Sequence, residues 1–251
     1  MTRGHRLVAE ATAAWRAFRR RRTAMFFTFA FPLLLVGIFG ALVTTSAAGT
    51  AGLFTKPPAY YIPGYLAVVV LFTPLTRVGS TVARHRSGNR FEKLATTPLA
   101  RWEWLAAHTL VNAVVVGVAS ALVLAVVVGV TAASVRLVAV PAIAALVGVA
   151  VVVFCGIGAV LGRVAESRDG VVAASNAIAV PLVFLSETFV PPSLLPPWFR
   201  PVMGLSPLTY FSRAVRAVGV TGDPWLGDAA VLVGAAVVAF LAGAVAIPQT
   251  D

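Results

Sequence analysis

The sequence predicts an all-α integral membrane protein with six transmembrane helices, and three observations carry that reading. Hydrophobic residues make up 59% of the 251 and charged residues only 12%, where a soluble domain holds about 25% charged residues. Stretches free of Asp, Glu, Lys and Arg recur along the chain at the length of roughly 20 residues that a spanning helix needs. Fifteen of the 20 Lys and Arg residues fall in three segments, 1–22, 77–101 and 163–168, the one-sided bias that sets topology.

The first element is an amphipathic helix lying in the membrane interface, predicted over 5–22 and taken as the unit 1–22. Leu7, Val8, Ala11, Ala14, Trp15 and Phe18 share one face, with Arg6, Arg16 and Arg20 opposite. The uncharged stretch after the Arg19–Arg22 cluster, Thr23 to Thr55, is too long for a signal core of ~7–15 residues, so it opens a transmembrane domain over 23–251. Spans are predicted at about 25–45, 61–81, 105–130, 138–161, 171–190 and 229–247. Pro32, Pro63, Pro74, Pro141 and Pro181 fall in or near them and are tolerable where neighbouring helices satisfy the freed carbonyls.

The three basic segments belong to the cytoplasmic side. Both termini are then cytoplasmic, in a multi-pass protein of the plasma membrane. The net charge of +11 and pI near 11.3 reflect topology signals and contacts with membrane lipid, not nucleic acid. The single cysteine, Cys155, sits in an apolar run and excludes an intramolecular disulfide or a paired-cysteine metal site.

Two loops are long. In the cytoplasmic one, Val82 to Trp104, Asn89 and Glu92 approximate a capping box, and Phe91, Leu94 and Ala95 form a short apolar stripe. Thr97 and Pro98 read as the N-cap and first position of the helix that becomes the third span. The loop should therefore hold a short helix, either one that docks a soluble partner or a simple interfacial helix; the docking contacts would be Arg90, Phe91, Glu92, Lys93 and Leu94, with Arg16 and Arg20 of the first helix, otherwise a basic anchor, as a second contact. The external loop, Glu187 to Asp228, is rich in proline yet apolar, including Leu194, Leu195, Trp198 and Phe199. Short re-entrant helices before the last span reconcile the two properties. Glu187, Phe189 and Trp198 are candidates for an external gate or cargo contact, with Glu187 alternatively an acid that simply reaches the aqueous interface.

These two loops resemble those of the ABC-2 type permeases, the membrane subunits of one class of ABC transporter. Gly88, Arg90, Glu92, Leu94, Thr97, Pro98, Leu99 and Arg101 are similar to the family's segment between spans two and three. The external match runs through Phe189, Val190, Pro191, Leu195, Pro196 and Trp198, then Ser206, Pro207, Leu208, Thr209, Tyr210 and Arg216. Ser186, Thr188, Phe189, Val190 and Pro191 look most like the daunorubicin-resistance type of drug exporter, with Glu187 a departure where a small or neutral residue would be expected. The resemblance implies a six-helix permease half that pairs with a second half, as a homodimer or with a related chain. It also implies export of drug, lipid or glycolipid, powered by a separate ATPase subunit that binds ATP and magnesium.

No catalytic, cofactor-binding or metal site is predicted in this chain. Neither lysine belongs to a phosphate-cradling loop, since Lys56 is followed by Pro57 and Lys93 by Leu94. His5, His85 and His108 lack an obvious acid and nucleophile. A different class of function, an ion-coupled carrier, would need ionisable residues near the bilayer centre. The predicted spans hold none of Asp, Glu or Lys, and Ser175 and Asn176 read as interhelical hydrogen-bonding groups. A non-transporting membrane scaffold is the third reading.

Overall fold

The computed structural model describes residues 3–46, 56–131, 133–189, 191–192 and 195–248, and among these there are helices and turns but no strand. Val190 and Leu194 of the external loop, and 47–55 at the end of the first uncharged stretch, lie outside the described residues.

The chain begins with α1 (Arg3–Arg19) and α2 (Arg22–Ser46). A 3-10 turn, Pro58–Tyr61, leads into α3 (Ile62–Ser87), followed by the short α4 (Arg90–Ala95) and the long α5 (Arg101–Thr131). Then come α6 (Val140–Val164) and α7 (Arg168–Leu185). An irregular segment carries α8 (Arg200–Met203) and α9 (Pro207–Arg216), and α10 (Leu226–Ala246) closes the fold. Among the described residues, five helical stretches are long and apolar enough to cross a membrane: Pro58–Ser87, Arg101–Thr131, Leu137–Val164, Arg168–Leu185 and Leu226–Ala246. The first predicted span is the 25-residue α2, whose shorter apolar stretch is Met25–Ile38.

The central helix is α3, buried on every side from Ile62 to Leu71, with α5, α6, α7 and α9 around it. Lipid is as apolar as leucine, so the helices are held by close packing. Small residues supply it. A Cβ on Gly79 of α3 would stand 2.9 Å from the Gly158 carbonyl oxygen of α6, and one on Gly243 of α10 would stand 2.8 Å from that of Gly156, also on α6. Pro63 and Pro141 occupy the first turns of α3 and α6, where a missing N–H costs no intrahelical bond, while Pro32, Pro74 and Pro181 are interior.

Several boundaries differ from those predicted. The third span opens at Arg101 and not at Thr97, because Glu103, only 1% exposed, accepts from the backbone N–H of Ala100 at 2.8 Å, a glutamate at the third helical position reaching back to the cap. The Thr97 hydroxyl instead donates to the Leu94 carbonyl at 2.7 Å, closing α4. Asn89 makes no side-chain cap; it takes a left-handed conformation (φ 48°) that turns the chain between α3 and α4, a conformation asparagine tolerates better than most residues. The fifth span stops at Leu185, with the Ser186 and Thr188 hydroxyls both donating to the Val183 carbonyl. Ser175 is buried but its hydroxyl finds no hydrogen-bond partner, so the interhelical bond expected of it is not formed.

Between α7 and α10 the chain re-enters the bundle. Ser206 caps α9, its Oγ accepting from Leu208 N–H at 3.2 Å, and α9 buries Leu208, Phe211, Ala214 and Val215 against α3, α6 and α10. A π-helical turn, Ala217–Thr221, ends at Gly222 with φ 82°, a left-handed position suited to glycine.

Candidate functional site

The two candidate regions occupy opposite ends of the bundle. At the basic end, α4 crosses below the ends of α3 and α5. Phe91 is 3% exposed and lies edge-on to His85 and to Trp104, with ring centroids 5.4 and 5.5 Å away. Phe91, predicted as an anchor for a soluble partner, thus packs on the end of the bundle in this chain. Leu94 is half-buried on the same core, whereas Glu92 and Lys93 face outward. Arg90 is exposed, its guanidinium 3.5 Å from His85 Nε2. Beside α4 a groove of about 650 Å³ is lined by Leu94, Leu99, Trp102 and Val245, where α4 meets the end of α10.

Arg16 on α1 and Arg20 in the turn after it are exposed, but Arg6 is not on their face as predicted. Its Nη2 donates to Glu103 Oε1 at 3.0 Å and its Nη1 donates to the Pro98 carbonyl. One turn further, Glu10 meets His108 Nε2 at 3.2 Å, so His108 has the acid partner that the sequence concealed. Arg6, Glu10, Ala14 and Phe18 form the inward stripe of α1 along α5, while Val8 and Trp15 stay exposed. The spacing of 4, 4 and 4 residues was legible. Its ionic half was missed because charged residues were assigned to solvent by default.

Arg86 at the end of α3 closes the same end of the bundle. Its Nη1 donates to the carbonyls of Arg163 and Ala165 at 2.6 and 3.1 Å, satisfying acceptors that the end of α6 leaves without intrahelical partners.

At the opposite end, Glu187 is buried and paired with Arg213 of α9. Arg216, one turn on, donates from Nη2 to the Glu187 backbone carbonyl at 2.7 Å and stacks over the Tyr60 ring at 4.0 Å. The hydrogen bond that Arg213 donates to Glu187 raises the Arg213 pKa above its ordinary value. Burial lowers that of Arg216, with Tyr60 and Glu187 opposing. Phe189 packs edge-on to Tyr65 at 5.9 Å, and there is no room beside it: a Cβ on Gly64 would stand 2.8 Å from its ring. Trp198 does not join this group. It is 73% exposed and touches Phe199, 5.4 Å between ring centroids. The alternating spacing of Arg213 and Arg216 on one helix turn was the available signal for their shared partner.

The bundle thus carries a short helix with exposed Glu92 and Lys93 at one end and an ion-paired segment at the other. Among the described residues no group of three or more His, Cys, Asp or Glu is placed to hold a metal ion. No curated protein matches the chain. The family described as ABC-2 type transporter matches residues 7–219, from the inward stripe of α1 through the π-helical turn after α9. The chain belongs to the ABC-2 type transporter family, as a membrane permease of an ABC transporter.

Proposed function

We propose that this permease exports hydrophobic or amphipathic cargo, a drug, lipid or glycolipid, and that its power comes from a separate ATPase subunit holding ATP and magnesium. The observation that carries the reading is the seating of α4. Phe91 fixes the helix to His85 and Trp104, so a push on exposed Glu92 and Lys93 is passed to α3 and α5 without slack. The apolar part of the docking face falls to the groove by Leu94 and Trp102, with Arg16 and Arg20 as the flanking charges. Two permease halves, identical or related, pair around the pathway, closed two-fold pairing being the commonest assembly. The basic end faces the cytoplasm and the Glu187 end faces outward, in the plasma membrane, as the distribution of Lys and Arg supports.

The test is ATP hydrolysis and cargo movement in proteoliposomes holding the permease with and without the ATPase subunit. Hydrolysis is expected only with both, stimulated by the cargo class. Hydrolysis by the homogeneous permease alone would overturn the division of labour, and export unaffected by loss of the ATPase would overturn the power source.

A further inference from the structure

A second cavity lies at the basic end, above α4 and enclosed by α1, α3, α5 and α7. Its volume is about 330 Å³, within the range of small-molecule sites, ~300–1,000 Å³. Five arginines line it: Arg21, Arg77, Arg84, Arg90 and Arg168. The one carboxylate in its wall is Glu10, which is already engaged by His108. None of the five arginines forms an ion pair with a carboxylate among the described residues. Arg77 rests over the Phe18 ring at 4.2 Å and Arg84 reaches the Thr81 hydroxyl at 3.1 Å, neither of which neutralises a charge.

The polar atoms of the cavity are unmatched as well. One guanidinium nitrogen each of Arg77 and Arg84, the Ser80 hydroxyl and His85 Nδ1 are buried with no hydrogen-bond partner, and Ser80 and His85 are both more than nine-tenths buried. Asn112 Oδ1 is an unmatched acceptor in the same wall, suited to a hydroxyl. A buried donor without a partner loses its hydration uncompensated, at greater cost when it is charged, and clustered like charges repel. An anion removes both penalties, and arginine forks match phosphate oxygens two at a time. Ala14, Ala17, Phe18 and Val172 give the lining an apolar side that suits an attached hydrocarbon.

We propose that this cavity binds the phosphate group of an anionic molecule, with Arg77, Arg84 and Arg168 on its oxygens and Ser80 as a neutral donor. The site stands on the geometry of this chain and is independent of what the complex exports.

The experiment measures equilibrium binding to the full-length chain in neutral detergent micelles, with short-chain phosphatidic acid, short-chain phosphatidylcholine and inorganic phosphate as separate probes. The variants are Arg84→Gln with Arg168→Gln, and Ser80→Ala. Arg3→Gln with Arg19→Gln serves as a control of equal net charge with both changes on exposed α1 positions. Phosphatidic acid is expected to bind more tightly than phosphatidylcholine, and the cavity double variant should weaken it about tenfold or more while the control changes it less than twofold. Ser80→Ala, which alters no charge and removes a hydroxyl with no partner of its own, should weaken it severalfold. Inorganic phosphate that binds with the same variant pattern assigns the site to soluble phosphate species; phosphatidic acid alone doing so assigns it to lipid. Binding that is equal for phosphatidic acid and phosphatidylcholine with no response to inorganic phosphate, or losses that match between cavity variants and control, would overturn the proposal.

Discussion

Phe91 and Trp104 meet edge to face, 5.5 Å between centroids at 71°, and this contact ties a six-residue helix to a 31-residue one. A helix as short as α4 has no stability of its own, so its orientation depends on that ring. Phe91→Ala is expected to leave the bundle folded and free α4, with a local cost approaching the ~3–5 kcal/mol of a buried Phe→Ala change. The ATPase subunit should still co-purify, while hydrolysis loses its response to cargo. Reversing the exposed pair, Glu92→Lys with Lys93→Glu, should do the opposite and weaken co-purification first. If Phe91→Ala abolishes association as fully as the charge reversal, the ring touches the partner after all.

Arg86 holds the last carbonyls of α6 from a neighbouring helix. Arg86→Lys keeps the charge but replaces the planar fork by a single ammonium, and should lower stability by about 1–2 kcal/mol, in the range of hydrogen bonds to charged groups. The check is the thermal midpoint in detergent. An unchanged midpoint would mean that water serves those carbonyls equally well.

Gly156 and Gly243 let α6 and α10 approach at backbone distance. Gly243→Val must push the helices apart and should cost roughly 1–3 kcal/mol, the usual penalty for overpacking. Gly148→Val, on α6 where a Cβ meets nothing within 4 Å, is the matched control and should change stability by less than about 0.5 kcal/mol. Equal effects of the two would show that β-branching in the helix, not the crossing, sets the cost.

What the sequence made legible was whatever depends on solvent alone. Apolar length identified the helices, and proline density in 191–207 identified the re-entrant segment. Pairings between distant residues were hidden. Nothing near Glu103 announces Arg6, and nothing near His108 announces Glu10, because each pair is brought together only when α1 lies along α5. The same limit applies to Phe91: an apolar residue in a loop between spans fits a soluble partner or the bundle's own end equally well, and its contact with Trp104 is invisible in the sequence. Thr97 followed by Pro98 satisfied a helix-start pattern, yet the helix starts after Ala100, three residues past Thr97, where Glu103 accepts from the Ala100 N–H.

Glu187 and Arg213 give the most direct test of whether the segment between α7 and α10 moves during transport. The pair joins the residues after α7 to α9, and Arg216 holds the Glu187 backbone as well. Arg213 is partly exposed, so solvent screens the interaction and a coupling energy of about 1 kcal/mol is expected, nearer the value for surface pairs than for buried ones. A double-mutant cycle of Glu187→Gln and Arg213→Gln on thermal stability would measure it. If the pair must open for cargo to leave, Glu187→Gln should also raise the turnover of the reconstituted complex or broaden its cargo range, and the double variant should resemble it. If the pair is a fixed brace, both variants should lose stability and transport together, with cargo preference unchanged. Stability that falls while transport rises is the outcome that assigns Glu187 to the gate.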